Sequence, residues 1–315
     1  MEPIAVLSLF DGMSCRLALE RAIPVRRYFA SEIDKYAIQI ATKNFPDIHQ
    51  IGNAEVEVFY TLTGIDHYRI KSESYYRLSL DLLIGGSPCQ FSNAGKGLNF
   101  NDPRSKLFFE FVRILNEAKP RYFLLENVKM KKERQNTISE HLFIQPVEID
   151  SALVSAQRRK RLYRVGKRNE DSYSQVVVSQ PEDKGILLKD IIDYGIVDQD
   201  KSYCIDANYA KGGNLKSYAK GRRQLVFNSI YQLPRGKNTG GIKEGKSPTL
   251  SSNSWQYNNF VNCGKYRKLT PIECERLQTL PDNYTEVSNS QRYKMLGNGW
   301  TVDVIAHIFR EIFKD

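Results

Sequence analysis

The sequence predicts an α/β protein built on one open sheet, with a smaller and less regular second region. Three observations carry that expectation. Strand-length apolar runs alternate with helical-period segments through the first half of the chain. The alternation breaks down near Arg168 into polar, glycine-rich sequence. Helical periodicity returns only from Leu269 onward.

The elements follow in order. IAVLSLF (4–10) reads as a strand ending in Asp11-Gly12, and CRLALERAI (15–23) as a helix stopped by Pro24. RRYFAS (26–31) is the second strand candidate, followed by a helix in KYAIQIATKNF (35–45) that Pro46 closes. DLLIGG (81–86) is a third strand. DPRSKLFFEFVRILNEAKP (102–120) is a helix with Asp102 as cap and Pro103 at its first position. Leu107, Phe108, Phe111, Val112 and Leu115 form its apolar stripe. YFLLENV (122–128) is a strand running into a polar end. NEDSYSQ (169–175), YAKGGNLKSYAKGRR (209–223) and PRGKNTGGIKEGKS (234–247) read as loops. In LTPIECERLQTL (269–280), Thr270 caps a helix, Pro271 opens it and Glu273 completes a capping box. GWTVDVIAHIFREIF (299–313) is a last helix with Val304, Ile305, Ile308 and Ile312 along one face.

The 315 residues suffice for a large domain and a smaller one, and a hydrophobic content of 41% with 26% charged residues is that of an ordinary globular chain. No apolar stretch reaches the roughly 18 residues that a membrane span needs. MEPIAVLSLFDG has no basic leader before its apolar run, so it reads as a strand and the expected location is the cytoplasm. Five scattered cysteines without a Cys-x-x-Cys pair, and four histidines without ligand spacing, argue against a disulfide framework and against a metal site.

The net charge of +10 is unevenly distributed. Between Lys201 and Lys268 there are thirteen Lys or Arg against Asp206 and Glu244 only, a net +11. Tyr203, Tyr209, Tyr218, Tyr231, Trp255 and Tyr257 are interleaved with those charges. A solvated surface is the bland explanation, but such one-sided confinement favours a face for DNA or RNA.

Three polar signatures fall where expected strands end: Asp11-Gly12, Cys89 behind Pro88 in GGSPCQ, and Glu126-Asn127. In open α/β sheets the ligand crevice lies outside the carboxyl ends of the strands. Glu32, twenty residues after Gly12, is placed to hold both hydroxyls of a ribose, which suggests a nucleoside-containing cofactor without a pyrophosphate.

These residues carry a resemblance to the C5-cytosine DNA methyltransferase family, in that family's motif order and over nearly the whole chain. LSLFDG resembles its first cofactor motif, SEID (31–34) its ribose-binding acid, GGSPCQ its nucleophile motif and ENV (126–128) its base-binding glutamate. QRRKR (157–161) is similar to its Gln-x-Arg-x-Arg strand, RKLTPIECERLQTLPD to the stretch after its recognition region, and GNGWTVDVI to its last motif. The resemblance is to the prokaryotic and phage type, with SLFDGMS and GNGWTV resembling the eukaryotic de novo branch.

The resemblance implies a Rossmann-like S-adenosylmethionine-dependent methyltransferase sheet over residues 1–168 and 269–315, and a target-recognition domain over 169–268. It implies Cys89 as the thiolate that adds to cytosine C6, Glu126 as the acid at ring N3, and Arg159 and Arg161 as guanidinium forks on the flipped base. A buried inert thiol, a surface acid and solvated arginines are the plain alternatives. Asn127 is expected to position the neighbouring loop. For S-adenosylmethionine, with S-adenosylhomocysteine as product, the resemblance implies Phe10, Gly12, Glu32, Asn53, Pro88, Asn298, Thr301 and Val302. Trp300 is equally consistent with ordinary core.

One residue fewer than the family pattern separates Pro-Cys-Gln from the Phe-Ser pair, since Phe91 follows Gln90 directly. Asn53 stands where the family has an aspartate. The implied partner is double-stranded DNA, with a cognate restriction endonuclease acting on the same site where the enzyme is restriction-linked. A monomer is expected, with self-association open. Two competing readings are an RNA methyltransferase of the same fold and an inactive binding module. The first lacks its Cys-Phe-Thr tripeptide here, since Ile205 follows Cys204 and Gly264 follows Cys263. The second usually lacks the nucleophile or the glutamate, and both are present.

Overall fold

The computed structural model describes residues 2–53, 57–60, 66–69, 75–77, 80–86, 106–227, 229–232, 241–244, 259–261 and 266–314. Cys89, Pro88, Asp102 and Pro103 lie outside them, as does the segment 91–101 that follows the cysteine motif. The chain divides into two compact units. The first comprises Met1–Asp150, Lys160–Pro181 and Val302–Asp315; the second comprises Ser151–Arg159 and Glu182–Thr301.

The first unit is organised by a mixed sheet. Its strands are β1 (Ile4–Leu9), β2 (Val25–Ser31), β3 (Ile48–Gln50), β7 (Leu82–Gly86), β8 (Tyr122–Val128), β9 (Val147–Asp150), β10 (Lys160–Asn169) and β11 (Ser172–Gln175). A separate three-stranded antiparallel sheet is formed by β4 (Glu57–Tyr60), β5 (Asp66–Arg69) and β6 (Tyr75–Arg77). The main order is β11-β10-β8-β7-β1-β2-β3, with β9 beside β10. The run from β8 to β3 is parallel, and β10 closes it antiparallel to β8.

Local sequence explains the central strands. β1 is buried at every position, as a parallel strand covered on both faces must be, and its continuous apolar run meets that need. Helix α3 (Lys106–Ala118) turns Phe108, Phe111, Ile114 and Leu115 onto Leu7, Leu9, Leu83, Phe123 and Leu125. The helical period of its sequence is therefore a direct readout of the face it buries. Helix α2 (Lys35–Asn44) starts where the Asp34 carboxylate accepts from the Tyr36 amide at 3.0 Å. Helix α9 (Val302–Ile312) buries Val304, Ile305, Ile308 and Ile312, the expected face, and packs against helix α1 (Cys15–Glu20).

The expected loop NEDSYSQ instead holds β11, which pairs with β10 from Asn169 opposite Ser172 to Gly166 opposite Gln175. Ladder hydrogen bonds are backbone bonds, so an edge strand facing water tolerates polar side chains. Its one large residue, Tyr173, packs edge-on against Phe123 with ring centres 5.1 Å apart.

The second unit has shorter elements. YAKGGNLKSYAKGRR, read as a loop, holds the single-turn helices α5 (Tyr209–Gly212) and α6 (Leu215–Tyr218), the latter capped by Asn214 on the Ser217 amide. Strands β12 (Leu225–Phe227) and β16 (Tyr266–Lys268) pair, and β13 (Ser229–Gln232) lies between β14 (Gly241–Glu244) and β15 (Asn259–Val261). Helix α7 (Pro271–Leu277) carries the expected capping box: the Glu273 amide donates to the Thr270 hydroxyl, and the Thr270 amide donates to the Glu273 carboxylate. That carboxylate is fully buried and also takes both Arg267 Nη groups at 2.7 Å. Helix α8 (Asn289–Asn298) completes the unit.

Candidate active site

In the first unit, β1 has β2 on one side and β7 on the other, and Leu9 is in register with both Ser31 and Gly85. Strand order reverses there, and the carboxyl ends of β1 and β7 at such a point are where open α/β sheets take their ligands. The turn leaving β1 is unusual. Phe10 has φ +58° and Gly12 φ +67°, both in the left-handed region. Glycine adopts that conformation freely, whereas a phenylalanine held there is strained by its neighbours. A Cβ added to Gly12 would meet no atom within 4 Å, so the backbone here borders open space.

Glu32, just past β2, ties this turn down. Its Oε2 accepts from the Gly12 amide at 2.8 Å, and its Oε1 accepts from the Ile33 and Asp34 amides at 2.7 and 2.8 Å. A carboxylate offers about four acceptor directions, so three backbone donors leave capacity for a ligand hydroxyl. Ile33 beside it is 76% exposed, an apolar surface adjoining a carboxylate, which sequence reading missed because a single exposed isoleucine has no periodic signature. Asn53 is exposed beyond β3, after Gly52, whose carbonyl accepts from the Ser31 hydroxyl at 2.8 Å.

Asp11 turns inward. It is 4% exposed, and Tyr28 donates its hydroxyl to Oδ1 while Cys15 Sγ donates to the Asp11 backbone carbonyl at 3.0 Å. Burial raises the Asp11 carboxyl to about 6, against the lowering effect of hydroxyl donors and with a smaller raising contribution from Glu32. Burial likewise pushes the Cys15 thiol and the Tyr28 phenol upward, so neither ionises near neutrality.

Two strands away, Gly86 at the end of β7 is in register with Glu126 on β8, and Cys89 follows only three residues later in the chain. Glu126 is 7% exposed and forms an ion pair with Arg161 on β10, Nε to Oε1 3.0 Å. The next residue, Asn127, faces the opposite side of the sheet and accepts from a buried arginine that the sequence did not suggest, Arg164.

Arg159 departs from Arg161. It precedes β10 and belongs to the second unit, where Nη1 donates to the Ile205 carbonyl and to Cys204 Sγ. Nη2 donates to the carbonyls of Gly297 and Gly299 at 3.2 and 2.8 Å. Close packing surrounds it, since a Cβ on Gly297 would lie 2.1 Å from the Asp206 backbone. Gln278 extends the network: Nε2 donates to the Leu296 carbonyl at 2.6 Å, and Oε1 accepts from Gln157 and from the Thr301 hydroxyl. Ser151 donates to Thr301 at 2.9 Å. These bonds hold the chain on both sides of Asn298, itself exposed at the end of α8, and Trp300 is half-buried. Val302 is buried as the first residue of α9.

Gly12 and Glu32 are thus brought together, and so are Glu126 and Arg161, at strand ends of one sheet. Arg159, Asn298 and Thr301 belong to the second unit. No group of three or more potential metal ligands occurs among the described residues.

The model of the family described as C-5 cytosine-specific DNA methylase matches residues 4–148 and 151–314. The chain is 32% identical over 329 residues to Type II methyltransferase M1.ScrFI of Lactococcus lactis subsp. cremoris, covering 98% of this chain and 78% of that one. It is 30% identical over 328 residues to Type II methyltransferase M.NlaX of Neisseria lactamica, covering 98% and 95%. Its fold is similar to that of the Entamoeba histolytica methyltransferase EhMeth, with a TM-score of 0.66 at 19% identity, covering 100% of this chain and 99% of that one. With the motifs in order and the family matched along almost its full length, the chain belongs to the C-5 cytosine-specific DNA methylase family and is a DNA cytosine-C5 methyltransferase.

Proposed function

We propose that this enzyme transfers a methyl group from S-adenosylmethionine to C5 of a cytosine rotated out of duplex DNA, through a covalent adduct between Cys89 and C6. The observation that carries the reading is the Glu126–Arg161 pair beside the strand that leads to Cys89.

Cytosine C5 is too weak a nucleophile to be methylated unaided. A thiolate bonding to C6 pushes the C5–C6 electron pair toward C5 and the ring nitrogen, and a proton held at N3 by Glu126 prevents charge from accumulating there. Arg161 holds that carboxyl in place through the ion pair at Oε1. The C5 proton then passes to solvent and the N3 proton returns to Glu126 as the C6–S bond breaks and releases the thiolate, which restores the aromatic ring.

The cofactor fits the residues present. Gly12 borders open space, Glu32 retains acceptor capacity beside it, and Ile33 offers an apolar face to a purine. Phe10, Gly12, Glu32, Asn53 and Val302 of the first unit, with Pro88, would hold S-adenosylmethionine. When bound, it supplies an electrophilic methyl group to the activated C5. Asn53 can accept from the adenine amino group through its amide oxygen.

Duplex DNA hides C5, so the base is extruded into the site. We assign target recognition to residues 169–268, whose basic segment supplies phosphate contacts. The Type II methyltransferase relatives are in keeping with modification of one specific sequence, and we assign the enzyme as a monomer in the cytoplasm, acting alone or beside a cognate endonuclease.

Covalent trapping tests the proposal. Fluorine at C5 cannot leave as a cation, so duplex DNA containing 5-fluorocytosine should give a denaturation-resistant adduct in the presence of S-adenosylmethionine, absent in Cys89→Ala. Adducts on an RNA duplex alone would overturn the DNA assignment, and a persistent adduct in Cys89→Ala would overturn the nucleophile.

A further inference from the structure

β8 places two consecutive polar residues at its carboxyl end, and β10 answers each with an arginine. Successive strand residues face opposite sides, so Glu126 meets Arg161 on one face while Asn127 meets Arg164 on the other. The register agrees, with Arg161 opposite Val128 and Arg164 opposite Leu125.

Arg164 is the largest fully buried side chain in the described structure. Its Nη1 donates to Asn127 Oδ1 at 3.1 Å, and its Nη2 donates to the Gln135 carbonyl at 2.9 Å and to the Ser139 hydroxyl at 3.2 Å. Gln135 and Ser139 lie on helix α4 (Lys132–Leu142), so one guanidinium joins two strands and a helix. Burying a cation is costly unless its donors are satisfied, and a methionine would fill similar space without that cost. The arrangement therefore calls for something that only a fixed set of donors supplies.

A guanidinium donates and never accepts, so the Asn127 atom facing it must be the carbonyl oxygen. We infer that Arg164 is a positioning residue for the methyl-transfer reaction, which acts by fixing the amide orientation of Asn127 next to Glu126. The two Nδ2 protons of Asn127 are thereby directed away from Arg164, as donors of constant direction. An apolar residue at 164 would remove the donor that requires an acceptor at this position. This inference rests on the reading of Glu126 as the group that serves the base.

A double-mutant cycle with a structural readout tests it. kcat, the KM for S-adenosylmethionine and DNA affinity are measured for the wild type, Arg164→Met, Arg164→Lys, Asn127→Ala and each double variant, below every unfolding midpoint. Arg164→Met should lower kcat at least tenfold, with KM and DNA affinity within about threefold, and Arg164→Lys should recover part of the loss. In the Asn127→Ala background neither change at 164 should cost more than about twofold further. Equal kcat losses in both backgrounds, or full kcat in folded Arg164→Lys and Arg164→Met, would overturn the inference. If Arg164→Met does not fold, Arg164→Lys carries the cycle. Independently of activity, the Asn127 side-chain amide resonances, identified by their loss in Asn127→Asp, should shift and exchange faster in Arg164→Lys. Unchanged resonances would also overturn it. A wild type that forms no adduct on 5-fluorocytosine DNA would count against the proposed function and leave this amide readout standing.

Discussion

Arg161 and Arg159 are two residues apart, yet they belong to regions organised on opposite lines. Around Arg161, among the described residues, Glu126 is ion-paired at Oε1, and Glu32 accepts three amides at a turn that borders open space. Around Arg159 the polar groups grip carbonyls, and Gln157, Gln278, Thr301 and Ser151 satisfy one another in a buried network. The difference separates a region that can give bonds to a ligand from one that holds backbone in place. Polarity alone does not mark a site; spare hydrogen-bonding capacity does.

The contrast breaks most visibly at Glu126. Glu126→Gln keeps the shape and an acceptor for Arg161 but removes the acid, and kcat should fall by about 10²–10⁴-fold with the melting temperature nearly unchanged. A comparable fall in stability would place Glu126 with the scaffold. Arg159→Met should behave the other way. Removing charged donors from buried carbonyls should cost about 2–4 kcal/mol in urea unfolding, with any loss of activity following the unfolded fraction.

Asp11 sharpens the comparison, because it is a buried acid inside the otherwise open region. Its carboxyl stands raised to about 6 in the folded protein against 3.8 ordinarily. The unfolded chain therefore releases its proton first as pH rises, and this group costs stability progressively between about pH 4 and 6 and fully above. Asp11→Asn should abolish that decline and add about 1–3 kcal/mol at pH 8, with no gain below pH 4. Chemical denaturation at pH 4, 6 and 8 measures it, and equal stabilities at pH 8 would show that the Tyr28 bond already offsets burial. The smallest effect is expected at Glu32→Gln, where an amide must turn an N–H toward a backbone donor. Calorimetric titration should show about tenfold weaker S-adenosylmethionine binding.

Much of this was legible in the sequence. The parallel strands announce themselves because strands covered on both faces need unbroken apolar runs, and the Thr270–Glu273 capping box because it is purely local chemistry. β11 was not legible: an edge strand has one face in water, so Ser172 and Ser174 carry no apolar signature. The spacing of Arg159 and Arg161 suggested one role for both, as alternation in a single strand would give. Strand β10 starts only at Lys160, so Arg159 lies outside its alternation. Arg164 reads from sequence as one more solvated cation in a basic strand. Only the tertiary packing of α4 removes it from water.

The packing of α1 against α9 has a consequence for how the molecule is made. Arg21 forms an ion pair with Asp303 at 2.7 Å, and these residues are separated by 282 positions in the chain. At about 5–20 residues per second on the ribosome, α1 waits roughly 15–60 s for the segment that covers it. The turn that carries Gly12 and Asp11 adjoins that helix, so the nascent chain carries this turn, and an apolar helix face, without their final cover until the segment from Val302 has been made. Methylation competence should therefore appear late and all at once during synthesis, and shortening the chain before Val302 should yield aggregates in place of a partly active fragment.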